Sequence, residues 1–169
     1  PTQDGLAEID LRQWPVNPAG IRVNSAAMKV FTAADLVEDH LKGATVAVLG
    51  YGNQGHAHAQ NLRDSGSRVV VGTRAGGAGY EAARRDGFEV MDVTAATAAA
   101  DVVAILLPDE IQSEIFVKEI EPSLRDGAAL VFGHGFAVAF DGIRIPGGHD
   151  VILVAPKAQG HFLRSQFVA

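Results

Sequence analysis

From residue 45 onward the chain alternates between two textures. Short, mostly apolar runs at 45–49, 68–71, 88–91, 101–107, 128–132 and 150–154 are separated by longer mixed segments. Runs of that length with little alternation suit parallel strands covered on both faces. The mixed segments 54–65, 80–86, 93–100 and 110–120 predict helices. Gly66 stands where the first should stop, and Pro122 limits the last. Strands alternating with helices imply βαβ units: an α/β fold with a doubly wound parallel sheet and helices on both faces. Residues 1–27 hold Pro15, Pro18 and Gly20 and show no sustained period. They predict an N-terminal arm or leader, with Ile9, Leu11 and Trp14 as its ordering contacts. The texture changes at Met28, so the domain is expected over 28–169. Thr32 is the expected N-cap of a short helix through Leu41.

The junction after the first strand carries the most information. Val46-Ala47-Val48-Leu49 runs into Gly50-Tyr51-Gly52-Asn53-Gln54-Gly55, a G-x-G-x-x-G that opens a helix. In that context Gly50 makes the tight turn, Gly52 lets backbone approach a pyrophosphate, and Gly55 lets helix and strand pack closely. The helix N-terminus adds unpaired N–H groups and a positive dipole end. The domain at 28–169 therefore reads as Rossmann-like and dinucleotide-binding.

Composition narrows the partners. A net charge of −6 and no basic cluster beyond Arg84-Arg85 argue against nucleic acid. No apolar run approaches the roughly 20 residues that span a bilayer, and residues 1–27 lack the pattern of a secretory signal. There is no cysteine, hence no disulfide framework or thiolate chemistry. These features fit a cytoplasmic protein acting on small molecules.

Ligands of open α/β sheets bind beyond the carboxyl ends of the strands. Those ends here carry the glycine loop, Arg74, Asp109 with Glu110, His134 and Lys157. An acidic residue after the second strand would bond the ribose 2′-OH of NAD, whereas an arginine accommodates a 2′-phosphate. Arg74, with no Asp or Glu between Val71 and Tyr80, tilts the reading toward NADPH, with NADH kept open. Arg74 stacking on adenine or facing solvent is the bland alternative. His134 between two glycines suits proton transfer or a loop-orienting role. Lys157 suits an anionic ligand or plain solvation. Asp109 and Glu110 read as an acid–base pair or as helix-start residues. His56 and His58, two apart, do not share a face as zinc ligands would and read as packing residues.

Taken together, several motifs resemble one family. Leu41-Lys42-Gly43, the string from Gly50 to Gly66, Leu106 to Gln112, His134-Gly135-Phe136, and Val154 to Lys157 with Gly160-His161 are similar, in the same order, to the ketol-acid reductoisomerases. The resemblance covers 28–169. It implies conversion of a 2-hydroxy-3-keto acid, 2-acetolactate or 2-aceto-2-hydroxybutyrate, to a 2,3-dihydroxy acid in branched-chain (valine and isoleucine) biosynthesis. A magnesium-assisted alkyl shift would precede hydride transfer from NADPH. By resemblance Gly50, Tyr51, Gly52, Asn53, Gln54 and Gly55 line the cofactor site and Arg74 meets the 2′-phosphate. Asp109, Glu110, Ile111, Gln112 and Gly160 complete the cleft. His134 is the catalytic histidine, with Lys157 near the reacting centre. Two family serines that bond the 2′-phosphate correspond to Gly77 and Gly79, which weakens NADPH preference and keeps NADH open.

The family's Mg2+ ligands belong to a helical C-terminal domain that this sequence, ending at Ala169, does not contain. An open sheet end predicts self-association into a homo-oligomer, exchange of the 1–27 arm, or poor solubility. Two other functions fit the same residues: a stand-alone NAD(P)H-dependent reductase of another carbonyl or an imine, and a non-catalytic cofactor-binding or interaction module.

Overall fold

The computed structural model describes residues 39–140 and 142–169. A single compact unit covers His40–Ala169. The arm 1–27, the boundary at 28 and nearly all of the helix expected from Thr32 lie outside the described residues. The last of that helix, His40 and Leu41, sits in a turn closed by the Ala44 N–H donating to Leu41 O (3.0 Å).

Six parallel strands form one sheet: β1 (Thr45–Leu49), β2 (Arg68–Gly72), β3 (Glu89–Met91), β4 (Val102–Ile105), β5 (Ala129–Phe132) and β6 (Val151–Leu153). Their order in space is β3-β2-β1-β4-β5-β6. The helices are α1 (Asn53–Asp64), α2 (Ala78–Arg85), α3 (Val93–Ala99), α4 (Asp109–Ile115), α5 (Phe136–Ala139) and α6 (Gly160–Val168). The expected doubly wound sheet is what forms, because central strands buried on both faces need cover on both. On one face Val46, Val48 and Val71 pack with Ala59 of α1 and Ala83 of α2. On the other, Ala47, Leu49, Val103 and Ile105 pack with Ala96 of α3 and with Phe116 and Ile120.

The lower edge of the sheet is pinned by Asp101. Its Oδ2 accepts from the Thr45 N–H (2.9 Å) and its Oδ1 from Arg125 Nη1 (2.6 Å). Its backbone N–H donates to Thr45 O, and its carbonyl accepts from the Ala129 N–H (both 2.9 Å). The starts of β1, β4 and β5 are thus tied through one residue.

Three features depart from the sequence reading. The fourth strand is shorter than 101–107, since Leu106 and Leu107 already belong to the turn above it. The helix expected over 110–120 runs as α4 and then widens into a π-helical turn, Phe116–Ile120, followed by a 3-10 turn at Glu121–Ser123. Pro122 has no N–H to donate, so the regular ladder cannot continue through it. Finally, α5 and α6 follow β5 and β6 where no helix was expected. The last packs along α1: Arg164 donates from Nη1 to Asn61 Oδ1 (2.8 Å) and from Nη2 to Asp64.

Candidate functional site

A groove of about 890 Å³ runs along the carboxyl ends of the central strands. Gly50–Gln54 line it at the end of β1. Thr73–Ala75 and Gly77–Gly79 line it after β2, and Asp92 and Val93 after β3. Leu106–Pro108 with Ile111 and Ile115 form the wall above β4. Connections run outward in opposite directions from β1 and β4, so the crevice lies at the point where strand order reverses.

The local chemistry follows from the glycine turn. Gly50 has φ +94, a left-handed conformation that costs glycine nothing. Its N–H donates to Gly72 O (2.8 Å), and a Cβ there would meet Leu106 O at 2.8 Å. Gly55 packs on the Gly50 carbonyl with no room for a side chain, which brings α1 onto β1. At Gly52 a Cβ would meet nothing within 4 Å, so backbone is open to an approaching ligand. The first turn of α1 carries no acidic residue, leaving its N–H groups and dipole uncompensated. Past β2, Arg74 is exposed beside the start of α2; its carbonyl accepts from the Gly77 N–H (3.2 Å), and its guanidinium has no partner among the described residues.

The structure gathers Gly50, Tyr51, Gly52, Asn53, Gln54, Arg74, Gly77, Gly79 and Ile111 into the groove lining. Other expected residues stand behind or beside it. The Tyr51 ring is turned into the protein, where its Oη donates to Asp86 Oδ2 (2.6 Å) and its ring packs on Phe88 at 5.6 Å. Burial, with the Asp86 carboxylate second, pushes its pKa up to about 12. Gln112 is buried, donates from Nε2 to Leu107 O (3.0 Å), and so holds the wall from behind. Its Oε1 has no hydrogen-bond partner among the described residues.

His134 stands in the turn after β5. Its Nδ1 accepts from the Phe136 N–H (3.2 Å), which leaves the proton of the neutral ring on Nε2, and Asp109 Oδ2 lies 3.6 Å from the same Nδ1. Glu110 and Lys157 are exposed, the latter in the turn after β6. Gly160 is buried, its N–H donating to Asn53 Oδ1 (3.2 Å). His58 faces a small cavity between α1 and α6 with Asn61 and Leu163, and burial lowers its pKa. His56 Nδ1 lies 3.1 Å from Gly52 O.

Thr73, Asp92, Val93, Glu114, Ile115 and Glu119 line the groove without having been singled out in the sequence. Asp92 was findable: it directly follows a strand and caps α3, its Oδ1 accepting from the Ala95 N–H (2.7 Å). Glu114 of α4 and Glu119 of the π-helical turn after it reach the groove through the course of these helical turns, which no local pattern announces. Among the described residues no three His, Asp or Glu side chains are grouped closely enough to hold a metal ion. They do not supply a magnesium site.

A dinucleotide fits this crevice. The turn leaves room for backbone approach at Gly52, a helix with no acidic residue in its first turn opens on the groove, and the Arg74 guanidinium, unpaired among the described residues, lines it past β2. The volume lies within the usual range for small-molecule sites. Fold and site together define a parallel α/β domain that holds a dinucleotide cofactor.

Within that class the chain belongs to the acetohydroxy acid isomeroreductase, NADPH-binding domain family, which matches residues 40–169. A relative named ketol-acid reductoisomerase (NADP(+)), from Campylobacter concisus (strain 13826), is 50% identical over 142 residues, covering 84% of this chain and 42% of the relative. A solved NADH-preferring ketol-acid reductoisomerase from an uncultured archean aligns with a TM-score of 0.78 at 43% identity. That alignment covers 83% of this chain and 44% of the other. A 3-hydroxyisobutyrate dehydrogenase of Mycobacterium tuberculosis shares the fold, with a TM-score of 0.60 at 21% identity over 72% of this chain and 43% of that one. The chain thus spans less than half the length of these relatives.

Proposed function

We propose that this chain holds NADPH in the crevice above β1 and β4 and serves as the cofactor-binding half of a ketol-acid reductoisomerase. The reaction is conversion of 2-acetolactate or 2-aceto-2-hydroxybutyrate to a 2,3-dihydroxy acid. The observation that carries the reading is the groove itself, with the α1 N-terminus at its centre and Arg74 at its end. Family membership and the named relatives support it.

The cofactor, when bound, supplies the hydride. The chain's own residues do the holding. The first turn of α1 takes the pyrophosphate, and Arg74 with the start of α2 takes the 2′-phosphate. Leu106, Leu107 and Ile111 form an apolar wall that excludes water from one side of the crevice. His134, its Nδ1 accepting from the Phe136 N–H, offers an Nε2–H donor to the substrate. Lys157 draws in the substrate carboxylate. The described residues do not gather the ligands of a magnesium ion. The same reading makes the protein cytoplasmic and a homo-oligomer.

Only Arg74 among the groove residues is cationic, and glycines stand at 77 and 79. Discrimination between NADPH and NADH is therefore modest, in keeping with a structural relative described as NADH-preferring. Titration of both cofactors by fluorescence checks this. Binding of NADPH is expected, and Arg74→Ala should weaken NADPH about tenfold or more while leaving NADH nearly unchanged, the worth of one charged hydrogen bond. Equal loss for both cofactors would sink the assignment of Arg74. For the reaction, loss of NADPH absorbance with 2-acetolactate, measured on a longer protein that carries this chain together with the metal-holding half, should depend on magnesium and stop with chelator. Turnover of another carbonyl in chelator would instead favour a stand-alone reductase.

A further inference from the structure

The turn between β6 and α6 crosses the start of α1 and is fastened there by side chains of the glycine loop. Gln54 donates from Nε2 to Ala158 O (2.8 Å). Asn53 Oδ1 accepts from the Gly160 N–H (3.2 Å), and Gly160 lies so close to the Asn53 carbonyl that no Cβ could be accommodated. Phosphate binding by backbone N–H groups asks for none of these contacts. They attach a different segment, the one carrying Lys157, to the floor of the cofactor groove.

Gln54 is the informative member. Its amide nitrogen is committed to Ala158 O, while Oε1 is buried with no hydrogen-bond partner among the described residues. Rotating the amide by half a turn would set Oε1 against the Ala158 carbonyl, oxygen against oxygen, so the orientation is fixed by that bond. The residue also lines the groove. One rigid, planar group on the first turn of α1 therefore holds the Lys157 segment through its donor, and its own backbone N–H belongs to the helix end that faces the groove. A phosphate that orders this turn also orders the amide and, through it, Ala158.

We infer that Gln54 is a positioning residue that couples occupation of the groove to the placement of Lys157, one position before Ala158. The ligand class is a nucleotide whose phosphates sit on the first turn of α1. The inference rests on the cofactor reading above and extends it to the substrate side. Coupling is reciprocal, so an anion held by Lys157 tightens the cofactor.

Hydrogen–deuterium exchange of the chain with saturating NADPH tests this, with residues 72–79 reporting that the groove is filled. In the unsubstituted chain NADPH should slow exchange at both 72–79 and 156–162, the latter about three- to tenfold, the range one hydrogen bond commands. Gln54→Leu removes donor and acceptor. Gln54→Glu keeps an acceptor but cannot donate to Ala158 O. In both, protection at 72–79 should persist while that at 156–162 disappears. The acetylation rate of Lys157 by acetic anhydride should likewise respond to NADPH in the unsubstituted chain and not in Gln54→Leu. Protection at 156–162 that survives both substitutions, or never occurs while 72–79 is protected, overturns the coupling alone. No protection at 72–79 in the unsubstituted chain overturns the cofactor reading and the coupling with it.

Discussion

Tyr51 shows how far a side chain can depart from its motif. Its backbone belongs to the groove, yet its hydroxyl closes a network behind it. Gln60 donates to both Tyr51 Oη (3.3 Å) and Asp86 Oδ2 (3.0 Å), and Arg63 donates to Asp86 O (2.7 Å) while lying 4.5 Å over Phe88. This network fastens the glycine loop to the end of α2. Its pH dependence has a definite sign. The folded chain holds the phenol proton to about 12, above the unfolded value near 10. The contribution is therefore complete below pH 10 and is lost as pH rises through the folded value. Tyr51→Phe should cost about 0.5–1.5 kcal/mol at neutral pH. It should also abolish the highest-pH phase of phenolate absorbance. If urea midpoints of the two proteins converge only at low pH, the assignment is wrong.

At the scale of elements, Asp101 offers the sharpest test. Thr45 is buried, and its N–H donates to Asp101 Oδ2. Asp101→Ala should destabilise by about 1–3 kcal/mol, the cost of a buried donor left unmade. Asp101→Asn keeps an acceptor and loses only the exposed charge pair with Arg125, worth about 0–1 kcal/mol. Denaturant unfolding of the two variants should rank them in that order.

The strands, and the glycine turn they deliver, were legible because each central strand is a short apolar run buried on both faces, a pattern local in sequence. By contrast α6 was not. Gly160 is its one buried residue, while Phe162, Phe167 and Val168 are exposed. What holds it is a close backbone approach at Gly160 and the pairing of Arg164 with α1, contacts that no periodicity records. The π-helical turn was equally hidden, since Phe116 and Ile120 are spaced as in an ordinary helix. For the site, the loops at strand ends were readable from position alone. The inward turn of Tyr51 and the side-chain reach of Asn53 and Gln54 toward α6 were not, because their partners lie in distant segments.

For the whole molecule, the two edges of the sheet differ. The edge strand β6 exposes Val151, Ile152 and Leu153 in succession, with Leu153 at 59%. Its register with Leu130, Val131 and Phe132 sends successive residues to opposite faces, so neither side is fully covered. An exposed apolar edge invites pairing. Sedimentation of the chain should show concentration-dependent association, and Leu153→Lys should reduce it without lowering the unfolding free energy by more than about 0.5 kcal/mol. Association unchanged by the lysine would place the contact elsewhere.

The strand order has a further consequence, for the chain as it is made. β1 is central, and the aspartate that pins its start comes 56 positions later. At roughly 5–20 residues per second, ribosomal synthesis delivers that aspartate about 3–11 s after Thr45. Until then Val46 and Val48 lie on an open edge, and the half of the crevice built by Leu106 and Leu107 does not yet exist. The reversal of strand order at β1 thus also sets a timetable: the nucleotide crevice is completed only when the second half of the sheet arrives, and a nascent chain is most in need of protection in the interval before it does.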